Sequence, residues 1–251
     1  MKKNIYTAVI LCLTLVSCKK EPLKSDDFVE TRHALRSYIE LATITECVSN
    51  FLNETDTVGF VEIGNQAVLN SGPYNNDDRV RTGSMTLNYI ANSANPKDTI
   101  EVLFDYWRDS MHVVGNLLYV PVPGSSERAI AGTFNLKYLD GNSTTINVDL
   151  KQFKSTNSYG YTGIVNGTDV FSNAFQSTIV DTVKTSICNN GGTTNDAKYN
   201  VNYLQYGKIN LTTQKQGTGN LWFGYNGTCD VYCVVIWEAI DLQLNLDMVN
   251  Y

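Results

Sequence analysis

His33 and His112 are the only histidines in the 251-residue chain, so any Ser–His or Cys–His relay would have to use one of them as its base. No Gly-x-Ser-x-Gly elbow, His-Glu-x-x-His pair or Gly-rich Lys motif accompanies them. Either ring is accounted for equally well by packing or by a place on the surface. Acidic residues gather at Asp77-Asp78 and at Asp105 with Asp109. A two-carboxylate glycosidase needs its acids facing each other across a cleft, and closeness in sequence does not supply that separation. Asn75-Asn76-Asp77-Asp78 collects oxygen donors suited to calcium without the EF-hand spacing. Cys229 and Cys233 have a CxxxC spacing with no histidine nearby, which is a poor zinc set. No catalytic residue, metal or cofactor is therefore assigned.

Aromatic side chains offer a different chemistry. Trp107, Trp222 and Trp237, with many tyrosines, could stack against the apolar face of a sugar. Trp222 sits between Leu221 and Phe223, so on a strand it points away from both. Trp222 and Trp107 are the candidate glycan-stacking residues, and burial in the core is the competing explanation for all three.

What must hold these residues in place begins with an N-terminus that is not part of a fold. Lys2 and Lys3 precede an apolar run from Ile5 to Val16, too short to span a bilayer as a helix. Leu15-Val16-Ser17-Cys18 resembles a bacterial lipobox, which implies a signal peptide over residues 1–17 and an acylated (palmitate-type) Cys18 at the mature N-terminus. Several acyl chains, at about 0.8 kcal/mol per buried methylene, hold a protein to one leaflet without a spanning helix. Residues 18–27 then form a polar lipidated tether. The expected location is the bacterial cell envelope, on the outer membrane, with periplasmic and surface-exposed faces both open.

Cys12 leaves with the leader and Cys18 is acylated, so Cys47, Cys188, Cys229 and Cys233 remain for disulfides in an oxidising compartment. If Cys229 and Cys233 share a strand, their Cα atoms lie about 13 Å apart, beyond disulfide reach. Cys188–Cys229 with Cys47–Cys233, or the crossed pairing, both remain.

Residues 28–55 carry Phe28, Leu35, Tyr38, Ile39 and Ala42 near helical spacing, with Asp27 as a candidate cap and a β-branched run at Thr43-Ile44-Thr45 against it. Residues 56–251 read as one antiparallel β domain. Met85, Leu87 and Tyr89 alternate, as do Ile100, Val102, Phe104 and Tyr106, the latter ending at a polar turn Arg108-Asp109-Ser110. Phe134, Leu136 and Tyr138 lead through Asp140-Gly141-Asn142 to Ile146, Val148 and Leu150, the clearest hairpin in the chain. Residues 171–187 fit both periods, and their Thr, Val and Ile content favours a strand. The only internal loop boundary the composition suggests is near 154–162. The expected class is all-β: an antiparallel β-sandwich-like domain with a short N-terminal helical segment behind a lipoprotein signal peptide.

Arg81-Thr82-Gly83-Ser84-Met85, the hairpin over 99–118, Gly163-Ile164-Val165-Asn166-Gly167 and Gly224-Tyr225-Asn226-Gly227-Thr228-Cys229-Asp230 resemble Bacteroidota-type cell-envelope lipoproteins with an antiparallel β fold. The likeness covers residues 80–246 and implies a bond between Cys188 and Cys229. It departs over 57–78, which lacks a Gly-rich acidic run, and at the additional Cys233. It carries no catalytic residues to transfer. Asp56-Thr57-Val58, Asp98-Thr99-Ile100, Asp109-Ser110-Met111 and Asp181-Thr182-Val183 resemble the Asp-Ser/Thr-aliphatic motif of bacterial O-glycosylation, which implies modification at Thr57, Thr99, Ser110 and Thr182.

A net charge of −6 disfavours binding to a phosphate backbone, so nucleic acid is not an expected partner. The expected role is a lipid-anchored, non-enzymatic binding module that meets the membrane through its anchor and a glycan or another envelope protein through its surface. A pilus-like structural subunit is the alternative, and an envelope hydrolase with an unplaced active site is third.

Overall fold

The computed structural model describes residues 28–53, 59–73, 81–90, 98–155, 158–187, 202–225, 232–237 and 242–247. Cys18, its tether, Thr57, Asp77, Asp78, Cys188 and Cys229 lie outside the described residues. The described residues open with helix α1 (Val29–Leu52), about 36 Å long at 1.5 Å per residue. Its first flanking residue is Phe28, which makes no side-chain capping bond. The expected cap, Asp27, lies outside the described residues.

Strands β1 (Val61–Ile63), β2 (Gln66–Leu69), β3 (Arg81–Tyr89), β4 (Ile100–Arg108), β5 (Met111–Pro121), β6 (Arg128–Tyr138) and β7 (Ser143–Ser155) follow. After them come β8 (Ser158–Thr168), β9 (Ala174–Ile187), β10 (Asn202–Thr213), β11 (Gly217–Phe223), β12 (Tyr232–Trp237) and β13 (Leu242–Asp247). All thirteen belong to one sheet in chain order, with every neighbouring pair antiparallel. The antiparallel β class holds. Hydrogen bonding runs through a single sheet, and the layer against its inner face is α1. Of residues 154–162, 154–155 end β7 and 158–162 begin β8, the two strands pairing from Ser155↔Ser158 onward, and 156–157 lie outside the described residues.

Period-two alternation makes the wall. Along β7, Thr144, Ile146, Val148, Leu150 and Gln152 are buried, while Ser143, Thr145, Asn147, Asp149 and Lys151 face out. The outward row of β7 is therefore polar and the inward row mostly apolar, the alternation of an antiparallel strand with one covered face. Asp140 accepts from the Asn142 backbone N–H at 3.0 Å, and Gly141 takes the left-handed conformation (φ 86°) that closes the hairpin read from the sequence.

The sheet must bend to follow a helix. Between Tyr161↔Val183 and Gly163↔Ile179, β9 carries Val180, Asp181 and Thr182 opposite the single Thr162. Gly163 and Gly207 flank this bulge with φ of 121° and 115°, and a Cβ at either would meet the neighbouring strand's backbone. Bulges with glycine kinks are the usual means of curving a sheet.

Helix α1 is buried nearly all round, through Leu35, Leu41, Ile44 and Val48 but also Ser37, Glu40, Thr45 and Ser49. Polar groups tolerate such burial only when hydrogen-bonded. The wall supplies partners from several strands. Tyr38 meets Ser177 on β9 at 2.9 Å and Thr45 meets Tyr161 on β8 at 2.8 Å. Ser49 donates to Gln152 on β7 at 2.7 Å. The Thr43-Ile44-Thr45 run is helical nonetheless, its Thr43 and Thr45 hydroxyls satisfied by the Ile39 and Ala42 carbonyls at 3.0 and 3.2 Å.

There is no disulfide among the described residues. Cys47, on α1, and Cys233, on β12, are buried thiols, so the expected Cys47–Cys233 bond is not formed. Each is packed into the core from its own element, in the manner of a small hydrophobe.

Candidate functional site

Strand β4 delivers two clusters of opposite character from consecutive residues. Tyr106 and Arg108 point inward; Asp105 and Trp107 point outward.

Inside, Glu40 of α1 receives the guanidinium of Arg108 and the hydroxyl of Tyr106 (2.7 Å), with Arg81 Nε 3.9 Å away. Arg81 and Arg108 are directly paired across β3 and β4. Burial pushes the Glu40 carboxyl upward, but the two guanidiniums and the Tyr106 hydroxyl outweigh it and hold it below the usual carboxylate range. Tyr106 is driven well above the ordinary phenol range, first by burial and then by the Glu40 charge. Neither can exchange protons readily with solvent, so this cluster fastens helix to wall. Nearby, Tyr138 receives a 3.0 Å bond from Arg36 and shares one of 3.0 Å with His33 Nδ1. Burial, reinforced by Arg36, lowers His33 to about 4, so it is neutral at physiological pH.

Outside, Trp107 and His112 are direct cross-strand partners on β4 and β5. Their rings stack at 4.7 Å with 9° between planes. The tautomer protonated at Nε2 donates to Asp105 Oδ1 at 2.7 Å, and this bond fixes the imidazole plane. Trp107 is 40% exposed. Its cross-strand partner on β3 is Thr82, a short and exposed side chain, while His112 stacks on the indole from β5. Ser84 pairs with Asp105 and Lys137 with His112, placing polar groups around the ring.

The other tryptophans differ. Trp222 does face outward as its alternation required, but it is half-buried, with Lys208 Nζ 4.9 Å from its centroid and Tyr225 edge-on at 5.0 Å. Trp237 is fully buried. Among the modification candidates, Ser110 is exposed on the β4–β5 turn, Thr99 is half-buried just before β4, and Thr182 is half-buried within the β9 bulge. The two histidines are not brought together: one lies within the wrapped sheet and the other on its outer surface.

The sequence reading missed the Glu40 cluster. Its signal was present, because Arg108 continues the inward series Ile100, Val102, Phe104, Tyr106 and belongs to the strand and not to the turn. Comparison with protein-family models, with curated proteins and with solved structures finds no match to this chain.

Proposed function

We propose that this chain is a cell-envelope binding module, anchored through acylated Cys18 behind a signal peptide, whose ligand is a glycan stacked on Trp107. The observation that carries the reading is the partly exposed indole held flat by His112, with the short, exposed Thr82 as its cross-strand neighbour on β3. A pyranose presents an apolar face that suits an aromatic plane, and its hydroxyls have Thr82, Ser84, Asp105 and Lys137 within the surrounding rows. Holding the ring in place beforehand reduces the ordering cost of binding. The Asp105–His112 pair orients an aromatic plane, while Glu40, Tyr106 and Arg108 are sealed from solvent, so a binding role fits these groups better than a hydrolytic one. In this reading the two layers of the expected sandwich are the opposite stretches of one wrapped sheet, facing each other across α1.

A glycan array followed by calorimetry on the acylated protein tests it. The wild type is expected to bind a defined sugar, Trp107→Ala to weaken binding at least tenfold (about 1.4 kcal/mol), and Trp222→Leu to bind as wild type. Silence on every sugar, or undiminished binding by Trp107→Ala, overturns the proposal.

A further inference from the structure

The wrapped sheet has two ends, and their described turns differ in what they expose. Helix α1 starts at one of them: His33 and Arg36 bond Tyr138 at the end of β6, and the helix finishes at the other end, where Asn50 accepts from Tyr159 near the start of β8. The starting end also carries the β4–β5, β6–β7, β8–β9 and β10–β11 turns. Leu139 on the β6–β7 turn is 73% exposed and Phe171 on the β8–β9 turn is 60% exposed. These turns are two strands apart, about 10 Å along the rim.

Neither side chain is exposed through looseness. Asp169 accepts from the Phe171 and Asn173 backbone N–H groups, both at 2.8 Å, which ties the β8–β9 turn into one shape with Phe171 outward. Asp140 ties the β6–β7 turn in the same way. Lys215 of the β10–β11 turn holds its ammonium 5.4 Å from the Phe171 ring centroid. Lys137 is exposed beside Leu139, and the acids Asp109 and Asp140 share this rim. Among the described far-end turns, β5–β6 exposes Pro123, Gly124, Ser125 and Ser126 with no large apolar side chain, and β1–β2 carries a single exposed aliphatic, Ile63.

The geometry points to the α1-starting rim as a membrane-resting surface, with Leu139 and Phe171 dipping into the lipid interface and Lys215 meeting phosphate headgroups. This rests on the acyl anchor at Cys18 proposed above. The described chain begins at Phe28 on this rim, and residues 18–27 can span no more than ~35 Å even when fully extended. The anchor is therefore joined to this end of the sheet and not to the opposite one. Large apolar groups flanked by long cationic side chains suit the boundary between acyl chains and headgroups.

The test uses the full acylated protein and its Leu139→Asp/Phe171→Asp double variant in vesicles of phosphatidylethanolamine and phosphatidylglycerol. Flotation reads the anchor, and hydrogen exchange of the turn amides reads the rim. Both proteins are expected to float. The β8–β9 and β10–β11 turn amides of the wild type are expected to exchange at least fivefold more slowly than those of the variant, with the β5–β6 turn equal in the two. Flotation with equal exchange at both rims overturns the resting surface and leaves the anchor standing. A wild type that does not float overturns the anchor and this inference with it.

Discussion

Asp105 to Arg108 are four consecutive residues of one strand, and the two clusters they feed invert each other's rules. On the inner side, Tyr106 and Arg108 join Glu40 in a set excluded from water. On the outer side, Asp105 is 65% exposed and holds the partly exposed His112 against Trp107. Both contain a carboxylate paired with a nitrogen base and an aromatic ring. Only the surroundings differ, and they decide what each can do. A buried ion pair has a high cost of disruption because the surviving charge is stranded, whereas an exposed pair contributes about 0–1 kcal/mol. The inner set therefore has a large effect on folding and the outer set a small one, which leaves the outer set free to be specialised for a ligand.

The sharpest test of that contrast is Glu40→Ala, expected to cost about 3–5 kcal/mol in urea denaturation, since Arg108 and Arg81 would be left facing each other in the core. Arg108→Met should cost less, because Glu40 keeps Tyr106 and Arg81. If Glu40→Ala changes stability by no more than an exposed substitution, the inner cluster is not sealed and the contrast collapses.

Acid provides the next largest effect. The folded His33 titrates at about 4 against an unfolded 6.5, so only the unfolded chain takes up its proton between those values. Stability from this group is complete above pH 6.5 and is lost as pH falls toward 4, by roughly 3 kcal/mol at 1.36 kcal/mol per unit. Glu40, held low when folded, gives up its contribution in the same direction as pH falls through its folded value, while Glu30, raised chiefly by burial, opposes both. His33→Gln should flatten the pH 6.5-to-4 part of the denaturation profile. An unchanged slope would place the loss elsewhere.

How much of this arrangement was legible follows from where each signal resides. The outer cluster could be read along one strand pair: Asp105 and Trp107 share a face, a two-residue turn follows, and His112 comes next on that face. The hairpin at Asp140-Gly141 and the helix near 28–55 were equally local. The inner cluster was hidden because Glu40 and Arg108 are separated by 68 positions and meet only once the sheet has wrapped the helix. The wrapping itself depends on Gly163, Gly207 and the β9 bulge, whose effect is to change curvature. A period-two pattern reports which face of a sheet is wet, but a flat sandwich and a curled wall produce the same alternation.

Trp107→Ala should shift the denaturation midpoint little, by less than about 1 kcal/mol, because the ring is already partly in water. It should remove ligand binding all the same. A large stability loss here would mean that the outer face is structural after all.

Asp105→Asn is the smallest change and the most discriminating. It keeps the size of the side chain and one acceptor oxygen, so its effect on folding should be within about 0.5 kcal/mol. It weakens the charge-assisted bond that sets the His112 plane. If the imidazole serves to present Trp107, glycan affinity should fall several-fold while the indole remains, and the His112 ring resonances should report a broader set of orientations. If affinity and ring resonances are both unchanged, the 9° stack is held by packing between Trp107 and its neighbours alone. The carboxylate would then be an ordinary surface charge, and the outer face would owe its order to the sheet rather than to the Asp105–His112 pair.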